Sequence, residues 1–443
     1  MDYLVEIGVK IVWVSPIYKS PMKDFGYDIE DFREIDEVFG TMADFEELVK
    51  EMKKKDLKLV MDFIPNHTSD RHKWFEKSID KVEPYSNYYV WAPPKKYDDA
   101  GKPMSVFGGS AWEFNEKRKE FYLHQFSKEQ PDLNYRNTEV LKEILEVAKF
   151  WLNKGVDGFR LDAVAHIFED PKLRDEPLKD DRKVNDEEIS YDSLSHIYTH
   201  SLPEVMDVIK AFRDCLDEYS SATDGVPRLL MAEVYDSIEE TMKYYGIASQ
   251  PLADFPFNFL FITNVNATST AQDIMNNINL WLKNMPKGMD ANWVLGNHDQ
   301  KRVATRLGPE LVDGMHMVAL LLPGTAVTYY GEEIGMEDAL ISWKETVDPA
   351  GINAGEKNYS EKSRDPARTP MQWNDDKNAG FSTSNKTWLP VNKNYTELNV
   401  EAEREKESHF NIYKDLVKAR NSSAVRYGGL EMHVLSETVF AYT

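Results

Sequence analysis

The sequence lacks cysteine pairs and long apolar runs. It contains one cysteine, Cys215, among 443 residues, so it can form neither an internal disulfide nor a zinc site built from cysteines. It also lacks a run of about 18 apolar residues, the length that a membrane-spanning helix needs. The longest apolar run, 317–327, is interrupted by Pro323 and Gly324. The first residues do not have the charged-then-apolar layout of a signal peptide.

Basic residues are scarce. The chain has 53 Lys and Arg against 76 Asp and Glu, which gives a net charge of −23. Such a surface repels phosphate groups, so nucleic acid is excluded as a partner and an anionic membrane surface is disfavoured. Hydrophobic residues make up 42% and charged residues 29%, which predicts a folded chain with a large core.

Short apolar runs alternate with amphipathic segments along the chain. A capping box at Thr41 and Asp44 starts a helix over 42–55, and a second helix is predicted over 139–154. The apolar runs that read as strands are 10–16, 57–67, 156–164, 228–235, 253–259, 292–299 and 325–333. This alternation predicts the α/β class with a parallel sheet. Seven strands with polar residues at their C-terminal ends favour a (β/α)8 TIM barrel lacking its first strand, and a doubly wound open sheet is the alternative.

The spacing of the runs predicts four segments. They are a first part of the barrel with its second and third strands (1–68), an inserted small domain (69–138), the rest of the barrel (139–424) and the start of a C-terminal β domain (425–443). The inserted domain is predicted because its length exceeds any ordinary loop between a strand and a helix. A helix over 408–420 and strands over 431–434 and 438–442 precede the C-terminus, which falls inside a strand-like run. The chain also begins as if in the middle of a domain, and we expect both ends of the natural domain to be missing.

Three acidic residues directly follow apolar strands: Asp162, Glu233 and Asp299. The C-terminal ends of barrel strands converge on one mouth, so these carboxyl groups are expected to lie near each other. Their mutual repulsion should raise at least one pKa. One ionised and one protonated carboxyl group are what glycoside hydrolysis requires.

Basic and imidazole groups accompany these acids. Arg160 precedes Asp162 by two residues and points to the same side of the strand, where it can keep Asp162 ionised or form a structural ion pair. His67 and His298 also follow strands, and neutral imidazoles there can donate hydrogen bonds to sugar hydroxyls. They could instead bind a metal with the acids. Neither His67 nor His298 belongs to an HxxxH or HxH pair, so we predict no metal site here.

Together these motifs resemble the α-amylase family of glycoside hydrolases (family 13), in its α-glucosidase and oligo-1,6-glucosidase branch, and within it the maltases of animals such as insects. The matching segments are DFGYD (24–28), DFIPNH (62–67), HQF (124–126), QPDLN (130–134), GFRLDAVAH (158–166), Glu233, GNHD (296–299), YYGEEIG (329–335) and ARTPMQW (367–373). Their order and their coverage of nearly the whole chain make the resemblance specific.

The resemblance implies a role for each candidate residue. Asp162 resembles the nucleophile, Glu233 the general acid and base, and Asp299 the acid that grips the sugar hydroxyls. Tyr27 resembles the aromatic platform under the sugar, while Asp24 and Arg368 resemble the pair that binds its non-reducing end and makes the enzyme exo-acting. The other implied substrate contacts are His67, Phe107, Phe126, Arg160 and His298. Phe107 and Phe126 could equally pack in the core.

The implied function is a retaining exo-acting α-glucosidase that acts on maltose, short malto-oligosaccharides and sucrose. Ala163, next to the nucleophile, is typical of relatives that cleave α-1,4 bonds and sucrose. No cofactor is required; a structural calcium ion occurs in some bacterial relatives, but nothing in this chain supports one. Sequons in the later loops favour a glycoprotein that is extracellular or at the cell surface, with membrane contact only through a missing anchor.

Two other functions are compatible with the motifs. The heavy chains of heteromeric amino-acid transporters resemble this family but do not hydrolyse sugars, and they usually lack part of the catalytic set. A transglycosylase or sucrose isomerase of the same branch would share the covalent intermediate and pass the glucosyl group to a sugar instead of water.

Overall fold

The computed structural model describes residues 1–94, 104–179, 189–405 and 407–443. Its helices are α1 (Asp2–Glu6), α2 (Met42–Lys54), α3 (Lys73–Ile79), α4 (Thr138–Asn153), α5 (Val205–Ala222), α6 (Ile238–Lys243), α7 (Leu260–Thr263), α8 (Ala271–Asn284), α9 (Val303–Leu307), α10 (Val312–Leu321), α11 (Pro349–Ala354), α12 (Tyr359–Lys362), α13 (Val400–Arg404), α14 (His409–Arg420) and α15 (Ser423–Tyr427).

The strands are β1 (Ile11–Val14), β2 (Tyr18–Lys19), β3 (Asp31–Ile35), β4 (Lys58–Phe63), β5 (Trp91–Ala92), β6 (Trp112–Asn115), β7 (Glu120–Leu123), β8 (Gly158–Leu161), β9 (Leu229–Ala232), β10 (Gly246–Ile247), β11 (Gln250–Pro251), β12 (Phe255–Pro256), β13 (Asn292–Val294), β14 (Thr325–Val327), β15 (Met432–Ser436) and β16 (Val439–Tyr442). Each of the seven predicted apolar runs contains one of these strands. The described residues form two compact units, the first mainly 10–256 and the second 2–9 with 257–443.

A parallel sheet is the centre of the first unit. Its strand order is β1-β4-β8-β9-β12, and every neighbouring pair is parallel. All of β8 and all but the first residue of β4 are buried, as expected of parallel strands covered on both faces. Polar residues that follow these strands are therefore delivered to the same edge of the sheet.

Helices α2 and α4 begin and pack as their sequences predict. Thr41 and Asp44 form the capping box of α2, with the Thr41 amide 2.7 Å from the Asp44 carboxylate and the Asp44 amide 3.3 Å from the Thr41 hydroxyl. In α4 the predicted apolar stripe is buried, and the Trp151 indole donates a 2.8 Å hydrogen bond to the Phe32 carbonyl. Burial of these stripes holds both helices to the sheet.

The range predicted for the inserted domain contains an antiparallel sheet of different character. Strands β5, β7 and β6 pair in that order around a small apolar cluster of Val90, Ala92, Ala111, Trp112 and Leu123. Part of the range, 95–103, lies outside the described residues. The domain boundaries themselves stay a prediction.

The second unit combines a parallel strand pair, β13 and β14, with packed helices. Its core cluster joins α10 and α14 with the segment directly after α1, through side chains such as Ile7, Leu320, Phe410 and Leu416. Strands β15 and β16 form an antiparallel hairpin, so the predicted helix and the two predicted strands before the C-terminus are confirmed. Among the described residues, no helix combines the length and apolarity needed to cross a membrane.

Candidate active site

A single guanidinium group joins three carboxylates at the C-terminal edge of the first unit's sheet. Arg160 lies on β8 and Asp62 is its register partner on β4, while Asp162 and Glu233 come directly after β8 and β9. Arg160 Nη1 is 3.0 Å from Asp62 Oδ1 and also binds Asp162 Oδ1, and Arg160 Nη2 is 2.7 Å from Glu233 Oε1. The parallel register of three neighbouring strands thus brings together two of the predicted acids.

Burial and repulsion both act on these carboxyl groups. Burial raises the pKa of Asp162 well above its ordinary value, against the pull of Arg160, and the Glu233 and Asp62 carboxylates add to the increase. Burial likewise raises the pKa of Asp62 to about 6. One positive charge cannot balance three negative ones in a buried site. The cluster therefore holds protons at a pH where isolated carboxyl groups are ionised.

Glu233 is held from a second side by the backbone of Ala163. The Ala163 amide donates a 3.0 Å hydrogen bond to Glu233 Oε2. Ala163 has φ 48° and ψ 32°, a left-handed conformation at the turn that follows β8. This contact could not be predicted from sequence, because an alanine carries no signal for a positive φ.

Asp62 is a site residue that the sequence reasoning missed. Besides Arg160, it accepts hydrogen bonds from the Tyr27 hydroxyl at 2.9 Å and from the Trp13 indole at 3.3 Å, both at Oδ2. Tyr27, expected as a sugar platform, thus also has its hydroxyl anchored to this carboxylate. The sequence did contain a signal for Asp62, because it is a charged residue inside the otherwise apolar run 57–67.

His67 and Asp24 are linked by a second residue that was missed, Gln130. Gln130 Nε2 is 3.1 Å from Asp24 Oδ2 and 3.0 Å from His67 Nε2. Burial lowers the pKa of His67 to about 3, so its imidazole is neutral in the physiological range, as predicted. The sequence signal for Gln130 was its place at the start of the QPDLN motif (130–134), but no role was predicted for it.

Phe126 packs beside His67, and Phe107 packs against Phe126. The Phe126 ring centroid lies 5.3 Å from that of His67 and 5.7 Å from that of Phe107, in an edge arrangement. Both phenylalanines are partly exposed rather than buried. Their position beside a candidate site residue favours the aromatic wall over core packing.

In the second unit, Asp299 contacts two arginines and a histidine. Arg368 Nη2 is 2.8 Å and Arg364 Nη1 3.3 Å from Asp299 Oδ1, and His298 Nε2 is 3.3 Å from Oδ2. Arg368 also donates to the His298 carbonyl at 2.7 Å. The Asp299 side chain keeps 22% of its surface exposed, which leaves it accessible to a ligand.

Arg364 is the third residue that was missed. The fully buried Asp348 fixes its guanidinium, with Arg364 Nη2 2.7 Å from Asp348 Oδ1. The sequence placed Arg364 four residues from the predicted Arg368, but gave no indication that both would contact Asp299.

The predicted site residues divide between the two units. The first unit holds Asp24, Tyr27, His67, Phe107, Phe126, Arg160, Asp162 and Glu233, and the second holds His298, Asp299 and Arg368. Within the described part of the chain, no group of three His, Cys, Asp or Glu side chains is arranged to hold a metal ion.

Comparisons with known proteins cover the whole chain. A family model described as the alpha amylase catalytic domain matches residues 1–428. Maltase 1 of Drosophila virilis is 47% identical across 100% of this chain and 71% of its own length. The salivary alpha-glucosidase of Aedes aegypti is 46% identical across 100% of this chain and 77% of its own length. A human amino acid transporter heavy chain is 41% identical across 94% of this chain and 59% of its own.

Solved structures give the same answer for the fold. An alpha-glucosyl transfer enzyme, XgtA, matches with a TM-score of 0.89 and 32% identity over 100% of this chain and 82% of that chain. The predicted α/β barrel class is confirmed, and the alternative of a doubly wound open sheet is wrong.

Proposed function

Because the chain belongs to the α-amylase family of glycoside hydrolases, we propose that it is a retaining, exo-acting α-glucosidase. It removes terminal α-1,4-linked glucose from maltose, short malto-oligosaccharides and sucrose. The observation that carries this proposal is the Arg160 guanidinium that contacts both Asp162 and Glu233. Two carboxyl groups that share one guanidinium are close together, which suits retention rather than inversion.

Asp162 acts as the nucleophile and Glu233 as the acid and base. In the first step an Asp162 oxygen bonds to C1 of glucose while the bond from C1 to the leaving oxygen breaks, and Glu233 gives its proton to that oxygen. In the second step Glu233 takes a proton from water, the water oxygen bonds to C1, and the ester to Asp162 breaks. Two inversions at C1 leave the released glucose in the α form.

Positioning of Glu233 is supported by its two fixed partners. Arg160 contacts Oε1 and the Ala163 amide donates to Oε2. Both oxygens of the Glu233 carboxyl group are thus fixed in direction before substrate enters.

The remaining residues hold the sugar. Asp299 keeps the role that the family resemblance implies, which is to accept hydrogen bonds from sugar hydroxyls, and Arg364 and Arg368 hold its carboxylate in place. Neutral His67 donates to hydroxyls, as His298 does by resemblance to the family, while Tyr27, Phe107 and Phe126 offer aromatic faces to the ring. For Asp24 and Arg368 we retain, as a proposal, the contact with the non-reducing end that the family resemblance implies, and we propose that no cofactor or metal takes part.

The α-1,4 preference and the location are proposed on separate grounds. Ala163, next to the nucleophile, is typical of relatives in this branch that cleave α-1,4 bonds and sucrose rather than α-1,6 bonds, and this resemblance supports the preference. Secretion or display at the cell surface is supported by the similarity to a salivary alpha-glucosidase. In that location we expect the substrates to be extracellular α-glucosides.

Transfer to sugars is the second candidate activity, because XgtA is an alpha-glucosyl transfer enzyme. It shares the glucosyl-Asp162 intermediate and differs only in the acceptor. The non-hydrolytic role of a transporter heavy chain is disfavoured, since Arg160, Asp162, Glu233, His298 and Asp299 are all present.

The test is a panel of maltose, sucrose and isomaltose with the anomer of the first glucose followed by NMR. We expect α-glucose from maltose and sucrose and little from isomaltose. Release of β-glucose, or no release from any sugar, would contradict the proposal. Sucrose isomers or longer sugars formed in concentrated sucrose would assign transfer as the main activity.

The matched variants are Asp162→Asn and Asp224→Asn. Asp162→Asn should lower kcat/KM by roughly 10⁴-fold or more, without loss of thermal stability, because it removes one of three buried like charges. Asp224 is an exposed residue of the same unit that pairs with Arg228, so its substitution should leave kcat/KM unchanged.

A further inference from the structure

The chain contains six Asn-X-Ser/Thr sequons, at Asn66, Asn266, Asn358, Asn385, Asn394 and Asn421. An N-linked glycan is bulky and hydrophilic, so its asparagine must lie at the surface of the folded protein with an available amide nitrogen. The sequence alone cannot rank the six, but their surroundings in the structure do.

Two sequons are incompatible with a glycan in the folded state. Asn66 is 1% exposed, and its Nδ2 donates to Asp132 at 3.3 Å. Asn394 is half-buried; its Nδ2 donates to Glu337 Oε2 at 3.0 Å, and its Oδ1 accepts from Gln372 at 3.2 Å. A sugar on either nitrogen would break these contacts.

Two exposed sequons use their side chains for local structure. Asn421 ends α14; its Nδ2 donates to the Val417 carbonyl at 3.0 Å, and its Oδ1 accepts from Arg426 at 2.9 Å. The Asn385 Oδ1 accepts from Lys377 Nζ at 2.8 Å. A glycan on Asn421 would displace the bond that its own nitrogen donates. A glycan on Asn385 would crowd the Lys377 ammonium group, which another segment places on the same amide.

Asn266 differs from these four. It is exposed in the loop between α7 and α8, and its Oδ1 accepts from the Thr268 amide at 2.9 Å and the Thr268 hydroxyl at 2.7 Å. This Asx turn brings the hydroxyl of the sequon onto the asparagine side chain. Both bonds are made at the oxygen, and within the described residues Nδ2 donates to no protein group. Asn358 is also exposed, at the start of α12. Its side chain does not cap that helix, so its surroundings neither favour nor exclude a glycan.

We propose that Asn266 carries an N-linked glycan in the secreted protein. The donor class is a lipid-linked oligosaccharide diphosphate. Asn266 Nδ2 loses one proton and bonds to C1 of the first sugar, while the bond from C1 to the diphosphate breaks and its electron pair leaves with the diphosphate. This inference rests on the proposed secretion and not on the proposed hydrolysis.

Tryptic mapping separates the sequons, because each falls in its own peptide. The peptides are 59–71, 244–283, 358–362, 378–386, 394–404 and 421–426. The full chain is secreted from insect cells and treated with a peptide N-glycosidase in ¹⁸O-water, which marks each glycosylated Asn as ¹⁸O-Asp. We expect the mark in 244–283 and none in 59–71 or 394–404. An unmarked 244–283 peptide in secreted protein would overturn the proposal.

Variants give an independent readout in the intact mass. Asn266→Gln and Thr268→Ala should each remove one glycan, Thr268→Ser should keep it, and the control Asn394→Gln should leave the glycan mass unchanged. If Asn266→Gln is not secreted, the wild-type peptide map still decides. Maltose hydrolysis measured on the same samples tests the proposed function separately, so the two can fail independently.

Discussion

Arg160 is the residue on which the first unit's charged cluster depends. It is 1% exposed, and its guanidinium is the cation that faces Asp62, Asp162 and Glu233. Removing one partner of a buried ion pair costs more than the pair itself contributes, because the other charges stay buried. The same group thus serves the fold and, in the proposed mechanism, the chemistry.

Arg160→Met should therefore destabilise the protein by about 3–5 kcal/mol near neutral pH. The loss should shrink toward about pH 5, because carboxyl groups whose pKa is raised in the folded state take up protons on folding. Urea unfolding at the two pH values measures both effects. The double variant with Asp62→Asn, which has one carboxylate fewer, should recover part of the loss. A pH-independent loss would contradict this electrostatic account.

At this scale the sequence predicted single side chains better than their partners. Asp162, Glu233 and Arg160 could be found because each follows or lies on an apolar strand. Asp62, Gln130 and Arg364 were missed because their roles depend on which residue lies opposite. That depends on strand register and loop closure, which local patterns do not determine.

At the scale of elements, the pairing of β8 with β9 sets the distance between Asp162 and Glu233. The two backbones approach closely at Gly158, where an added Cβ would lie 2.4 Å from the Leu229 carbonyl oxygen. No side chain can occupy that space without separating the strands.

Gly158→Ala should cost about 3 kcal/mol or more, since the clash is with backbone rather than with a side chain that can move. Gly314→Ala is the matched control. Gly314 lies in α10 with nothing within 4 Å of an added Cβ, so this substitution should stabilise the protein by about 0.5–1 kcal/mol. Thermal and urea unfolding of both variants measure the difference. Equal effects would show that the β8–β9 approach is not tight.

Glu332, in the short helical turn Glu332–Ile334, should make stability depend on pH. Burial raises its pKa to about 8, so between its ordinary value and pH 8 the folded state holds a proton that the unfolded state has lost. The free energy of unfolding must fall as pH rises through that range. Glu332→Gln should flatten this fall, with a gain of about 1 kcal/mol or more at pH 8.5 and little change at pH 5. An unchanged pH slope would contradict the assignment.

Elements with local signals were predicted closely. Thr41 and Asp44 gave the start of α2, and the spacing of Val140, Ile144 and Trp151 gave α4, because caps and stripes depend on neighbours within one helix. The left-handed turn at Ala163 could not be predicted, since it is imposed by the packing around it.

For the whole molecule, the net charge of −23 is the dominant long-range feature. Self-repulsion of this size destabilises the compact state and is screened by salt. Raising NaCl from about 20 mM to about 300 mM shortens the screening length from ~20 Å to ~6 Å. We expect the thermal midpoint to rise by about 2 °C, while kcat/KM for maltose, which is uncharged, stays constant. A kcat/KM that changes with salt while the thermal midpoint stays constant would contradict the view that self-repulsion lowers stability without affecting catalysis.

The parallel α/β class could be predicted from the sequence because strand and helix patterns alternate along the whole chain. The position of the inserted segment was suggested by length alone. Its three-stranded antiparallel sheet was not predicted, because β5, β6 and β7 are short and their pairing is not sequential.

The backbone of Ala163 has a consequence for redesign of substrate preference. A non-glycine residue in the left-handed region costs about 1–2 kcal/mol, and a β-branched one costs more. A library that introduces valine or isoleucine at 163 to change the linkage preference would also disturb the backbone amide that holds Glu233. A lower kcat from a displaced Glu233 could then be mistaken for a change in linkage preference. Glycine and asparagine tolerate this backbone, so side-chain diversity is better placed at neighbouring positions.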